Sequence, residues 1–261
     1  MLIARQLFRP HRLIMIALGL ALITWCASSM RWDWIPTYWD NGLIRKGLWN
    51  TTWILGASWL LGLFLALWLG LAQAAGPWYL AQPAKGFCSV IRGTPLLLQL
   101  WMLYYGLGSL FPTYPWLRGS VLWPYLREAW PYALLSLTLS AAGYGGEVMR
   151  GAFCGVDLGQ LEAARAYGMP RLTILRRIWL PLAVRRVLPT LGGEAVLLLK
   201  STPLVATVTV IDVYAVSSQV RQDTYLTYEP LLLLALVYMA MAGLIALLFS
   251  RLERRIPARI A

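Results

Sequence analysis

Histidine is almost missing from this 261-residue chain, and acidic residues are scarce: His11 stands alone, and 11 Asp and Glu face 23 Lys and Arg. With one imidazole there is no material for a histidine-based metal centre or a nucleophile–histidine catalytic set. Cysteine is thin as well. Cys26, Cys88 and Cys154 stand far apart without CxxC spacing, which argues against a zinc site or a disulfide framework. No GxxxxGK[ST] loop occurs, and Lys200-Ser201 lacks the glycines that would precede it, so any ATP must be bound by another chain. Charged residues amount to 13%, against about 25% in ordinary soluble domains.

Apolar residues fill the space, at 59% of the chain with a mean hydropathy of +0.61. A chain this apolar needs lipid as its solvent. The net charge of +12 does not point to nucleic acid, because the basic residues gather beside apolar runs rather than forming a stripe between aromatics.

A bilayer-crossing helix needs about 20 mostly apolar residues. Runs of that kind lie at 13–29, 52–72, 94–111, 131–149, 188–213 and 231–250. Lipid offers backbone groups no partners, so only helices or a closed barrel can cross it. Continuous runs select helices, and the expected fold is an all-α polytopic transmembrane bundle of about six spans. The segment 1–30 has a basic head and an apolar core like a signal peptide, yet its run is long for one, so a retained first helix is expected. Residues 1–45 then form an extra helix and outer segment, 46–255 the main bundle, and 256–261 a tail.

Basic residues orient the bundle. Arg5, Arg9 and Arg12 precede the first run, Lys85 and Arg92 follow the second, six arginines lie between 165 and 186, and Arg251, Arg254, Arg255 and Arg259 end the chain. The other loops dilute their cations with Asp33, Asp40, Glu128, Asp223 and Glu229. Both termini are therefore expected in the cytoplasm. Trp32, Trp34, Trp39, Trp116, Trp123 and Trp130 on the outer loops read as interfacial anchors.

Residues 155–187 are too charged to span and too regular for a random loop. Asp157 can cap a helix from Leu158, with Leu158, Leu161, Ala163 and Ala164 as its apolar side. Glu162 and Arg165 are spaced to pair. Gly168 suits a left-handed stop, and Pro170 blocks continuation. Such a stiff stub suits a partner's groove. Glu162-Ala163-Ala164, then Gly168, Ile178 and Leu180-Pro181, resemble the EAA…G…I-LP signature of ATP-binding-cassette importer permeases. The resemblance implies the type I importer permease fold and a coupling helix in a cleft of a cytoplasmic ATPase dimer. It also implies a second permease subunit (a non-identical one, with a second copy of this chain as the alternative) and a periplasmic solute-binding protein, in a bacterial inner membrane. No cofactor is expected on this chain; ATP and Mg belong to the ATPase.

Three further stretches resemble the polar amino-acid uptake branch, the histidine, basic amino-acid and opine permeases. IRGTPLLLQL at 91–100 resembles its RGTP element, with Thr94 as cap and Pro95 in the first helical position. AAGYGGEVMRGAF at 141–153 carries glycines for close helix approach, with Glu147 and Arg150 spaced to neutralise each other. LLLKSTPLV at 197–205 places Lys200 in a span beside Pro203, where Ser201 and Thr202 can satisfy freed backbone groups. Glu194 lies six residues earlier, roughly 240° around a helix, so the two charges cannot pair along one face. Each needs another helix, an aqueous cavity or a zwitterionic solute. Glu147, Glu194, Lys200, Ser201 and Thr202 are the candidate solute-pathway residues. An ion-coupled secondary transporter would use the same charges but leaves the 155–187 segment idle; a methionine or other permease would keep it. A membrane enzyme lacks a nucleophile–base set.

Overall fold

The computed structural model describes residues 28–254 throughout, and before them only Ile14, Ala17, Leu18, Ala21, Thr24 and Trp25. The first expected span, with Arg5, Arg9, Arg12 and Cys26, and the tail with Arg255 and Arg259 fall largely outside the described residues. The rest is helical: α1 (Trp34–Asp40), α2 (Leu43–Ala75), α3 (Trp78–Gly93), α4 (Leu96–Thr113), α5 (Trp130–Cys154), α6 (Leu158–Ala166), α7 (Arg171–Val208), α8 (Val213–Thr224) and α9 (Tyr228–Arg254). Helices α2 and α9 are each long and apolar enough to cross a membrane, as are the bent pairs α3–α4 and α7–α8. Helix α5, 25 residues long, reaches about 37 Å at 1.5 Å per residue.

Helix α5 is the axis of the bundle, and its small residues explain why. In lipid there is no hydrophobic gain in joining two helices, so van der Waals contact between closely approaching backbones must do it. A Cβ on Gly62 would collide with Ala141, and one on Gly145 would lie 2.9 Å from Ala66. At Gly70 the added atom would fall 2.5 Å from Met149 Cβ and 2.9 Å from the Arg150 nitrogen. Side chains can turn away from such a clash, but backbone cannot. We expect Gly70→Ala to cost about 1–3 kcal/mol, the usual toll of overpacking. Gly56→Ala, beside which no heavy atom lies within 4 Å, should keep or raise stability, by up to about 1 kcal/mol. Thermal melts of the two purified variants check this, and equal melting temperatures would overturn it.

Helix α3 is not a connecting loop. Its Ile91 packs against Gly143 and its Cys88 against Gly146, so it climbs beside α5 to that helix's midpoint, and α4 departs at 103°. The run expected at 94–111 is therefore one arm of a bent pair, and Arg92 lies beside the middle of α5 rather than in a free loop. Thr94 also behaves differently from expectation. Its hydroxyl donates to the Val90 carbonyl (2.8 Å), while Gln99 Nε2 donates to the carbonyls of Ile91 (2.8 Å) and Thr94 (3.0 Å). These residues tie off the end of α3; they do not cap α4, which starts after Pro95.

The span expected at 188–213 is likewise displaced. Helix α7 runs in from the 155–187 end, widens into a π turn at Leu175–Trp179, and tightens into a 3-10 segment over Thr202–Val208. It stops at Thr209, whose φ is +68°. At this far end Trp34 is buried with Ile44, Val216 and Val220, and Trp130 packs edge-on against Trp53. Those two tryptophans are packing residues, whereas Trp39 and Trp116 are exposed. Tyr38 donates to Asp223 at 2.9 Å; burial and that carboxylate push the phenol's pKa up.

Candidate functional site

Two regions concentrate the polar chemistry, one at the 155–187 end and one near mid-depth. The first is α6. Asp157 accepts a hydrogen bond from the Gly159 nitrogen at 3.0 Å and caps the helix as its sequence suggests. At the other end Gly168 has φ +72°. Its nitrogen donates to the Arg165 carbonyl (2.9 Å) and Met169 donates to the Ala164 carbonyl (3.2 Å), the paired bonds of a Schellman stop.

Which side of α6 faces inward is a finding of the structure. Leu161 and Ala164 are buried against Val156 and Ile174. Leu158 is 70% exposed, and Glu162, Ala163 and Tyr167 share the open side. Among the described residues no ion pair joins Glu162 to Arg165, contrary to their spacing. Ile178 and Leu180 pack into the cluster beneath. Trp179 Nε1 donates to the Phe153 carbonyl (2.9 Å) and Arg186 to the Gly155 carbonyl (2.5 Å), clamping α7 to the end of α5. Pro181, which has no N–H, lies in the first turn of the helix after the π turn, one residue past Leu180. The signature thus divides: Glu162 and Ala163 face out, Gly168 makes the turn, and Ala164, Ile178 and Leu180 hold the stub to the bundle.

The second region is a cavity of about 320 Å³ between α2, α4, α5 and α7. Glu194, Lys200 and Ser201 line it together with Ser140, Tyr144 and Trp59. Ser201 is held by a bond to the Leu197 carbonyl (3.0 Å). Glu194 and Lys200 share the cavity, but no ion pair joins them among the described residues; Arg92 is a cation near enough to act on Glu194.

The other two candidates lie elsewhere. Glu147 binds Arg150 at 3.0 Å and Arg92 at 3.8 Å, and Arg92 lies 5.8 Å over the Tyr144 ring. This cluster joins the bent α3–α4 pair to α5, and it meets the cavity at Tyr144 and through the charge of Arg92 acting on Glu194. Thr202 is buried, donating to the Leu199 carbonyl (2.9 Å), with the Tyr238 hydroxyl 2.9 Å away. Tyr238 in turn lies 3.5 Å from Asp212, a fully buried carboxylate that accepts from the Ala215 nitrogen at 2.8 Å and caps α8. Sequence reasoning missed Asp212 and Tyr238, though a single Asp inside the run VTVIDVY was a legible signal. Among the described residues no group of His, Cys, Asp and Glu is arranged to hold a metal.

A lipid-spanning helix bundle with a capped stub at one end and a charged, solute-sized cavity at mid-depth defines a membrane transport subunit. More narrowly, the chain belongs to the binding-protein-dependent transport system inner membrane component family, whose profile matches residues 59–257. Its place is the inner membrane. It is 41% identical over 192 residues to the octopine transport system permease protein OccM of Rhizobium meliloti, covering 74% of this chain and 77% of that one. It is 33% identical over 223 residues to the histidine/lysine/arginine/ornithine transport system permease protein HisM of Escherichia coli K12, covering 85% and 92%. A crystal structure of an amino acid ABC transporter with histidines superposes with a TM-score of 0.71 at 28% identity, over 87% of this chain and all of that one. The MetNI methionine ABC transporter matches at 18% identity and TM-score 0.66, a likeness of fold alone.

Proposed function

We propose that this chain is the permease subunit of an importer for polar amino acids or opines, driven by ATP hydrolysed on a separate cytoplasmic ATPase dimer. The observation that carries the coupling half is α6: a helix capped at both ends, anchored by Leu161 and Ala164, with Glu162 and Ala163 presented to a partner. ATPase closure would move this stub and, through the π-turned α7, the cavity residues at 194–201. Glu162, Ala163 and Gly168 shape the docking face; Ala164, Ile178, Leu180 and Pro181 hold it. The chain has no catalytic site of its own and binds no cofactor, with ATP and Mg on the partner.

The relatives named for octopine and for histidine, lysine, arginine and ornithine support the solute class. A cavity holding Glu194 and Lys200, with no ion pair between them, fits a zwitterion, with Ser201 beside the cation. Residues 155–187 then face the cytoplasm, both termini lie on that side, and the extra helix of 1–45 precedes the 46–255 bundle. A second, non-identical permease subunit and a periplasmic solute-binding protein complete the assembly. The test is uptake of octopine and arginine by proteoliposomes holding the complete transporter. Uptake should require internal ATP and survive collapse of ion gradients. Uptake that persists without ATP while an ion gradient is maintained would replace this reading with a secondary transporter.

A further inference from the structure

A second cavity, about 380 Å³, opens at the end of the bundle opposite α6, between α4 and the 111–129 connection. Its walls are aromatic: Tyr104, Tyr105, Trp123 and Tyr132, with Arg127 as the one charged residue that lines it. The rings are fixed. Tyr132, 5% exposed, donates to the Leu126 carbonyl at 2.6 Å, and Tyr104 packs edge-on against it at 5.6 Å. Tyr105 donates to the Thr207 carbonyl at 3.4 Å. Arg127 is only loosely engaged, 3.8 Å from Glu128 with both side chains more than half exposed, an arrangement that contributes little.

This cavity and the mid-depth one lie in register. Along α4, Tyr104 lines the outer cavity, Leu96 the inner, and Leu100, 2% exposed, stands between them. Along α5, Tyr132 lines the outer, Ala141 the inner, and Leu137, also 2% exposed, stands between. At 1.5 Å per residue the two helices separate the cavities by about 12 and about 13 Å. Leu100 and Leu137 belong to one buried cluster with Leu198, which lines the inner cavity.

We propose that the outer cavity is a separate solute site, occupied before the inner one, and that Leu100 and Leu137 form the apolar plug between them. The proposal rests on the solute class given above and adds a preference to it. A lining with one cation and no carboxylate favours a solute whose own carboxylates outnumber those of a basic amino acid. A guanidinium arm can lie against the tyrosine faces while a carboxylate meets Arg127 in the bidentate geometry that guanidinium offers. Octopine, an arginine with a second carboxylate on its α-nitrogen, has this chemistry, and arginine itself has less of it.

The test is equilibrium dialysis of labelled octopine against the complete transporter in nanodiscs, at a concentration that saturates uptake. Arg127→Gln and Tyr105→Ala should each lower the bound octopine by one equivalent per copy of this chain, and Arg127→Lys should restore part of it. Glu194→Gln should remove a different equivalent, and arginine should compete worse at the outer site than at the inner. If Arg127→Gln and Tyr105→Ala change nothing while Glu194→Gln does, the outer site is wrong and the proposed function stands. If Arg127→Gln removes both equivalents, the two-site arrangement is wrong. If the unaltered transporter retains no octopine, the proposal falls together with the solute class beneath it.

Discussion

Reversing the charge at Glu162 is expected to uncouple the transporter while leaving the bundle intact. Glu162 sits on the open side of α6 with no ion pair to Arg165, so Glu162→Lys breaks nothing within the chain and should cost the fold less than about 0.5 kcal/mol. At a docking surface the same change is severe. A central interface residue is worth about 2 kcal/mol or more, and facing like charges costs several more, so ATPase retention should fall by well over about tenfold. Co-purification of the ATPase with the tagged permease, and solute-stimulated ATP hydrolysis, both report it. Ala164→Leu makes the instructive contrast. Ala164 is buried against Leu161 and Ile174, so a larger side chain there should lower the melting temperature first and lose the ATPase only as a consequence. If Glu162→Lys retains full co-purification and hydrolysis, α6 is not the coupling element.

Much of α6 was legible because its signals are local. Asp157 as cap, Gly168 as left-handed stop and Pro170 as barrier act within a few residues of themselves. Which side of the helix faces the bundle was not legible. Leu158 and Ala163 read as apolar residues equal to Leu161 and Ala164, and only the position of Ile174 and Val156, supplied by neighbouring elements, decides which pair is covered. The same limit explains α3. Pro83, Lys85 and Arg92 dilute its apolar run, and what makes it part of a span is Arg92's contact with Glu147 and Tyr144, more than 50 positions away in the chain. Asp212 with Tyr238 is a third case: the Asp stands out in its apolar run, but its pairing with Tyr238 depends on how α7, α8 and α9 meet. The sequence pattern therefore reports each helix's ends and its apolar length. The partners of its buried polar groups come from the packing.

Glu194 and Lys200 yield the other large effect, and the geometry sharpens what their spacing implied. Six residues apart on one helix, they cannot pair directly, yet both border the same cavity of about 320 Å³, a volume in the range of small-molecule sites. A zwitterion resolves the arrangement, its carboxylate near Lys200 and its ammonium near Glu194, and neither charge needs a protein partner while the solute is bound. Lys200→Ala should therefore cut uptake about 10- to 100-fold, since a hydrogen bond to a charged group contributes about 1.5–3 kcal/mol. Assembly should be spared, because the Lys200 side chain is exposed to the cavity and no ion pair of the described bundle uses it. Glu194→Gln keeps the shape and removes the charge, so it should raise the solute concentration needed for half-maximal uptake. If both residues hold one solute, the double variant should lose less than the product of the single losses, because contacting sites are not additive. Initial uptake rates in proteoliposomes, beside yield of the assembled complex, separate the cases. Uptake and solute preference that both survive Lys200→Ala would take the cavity off the transport path and leave Lys200 as a solvated cation in a packed bundle.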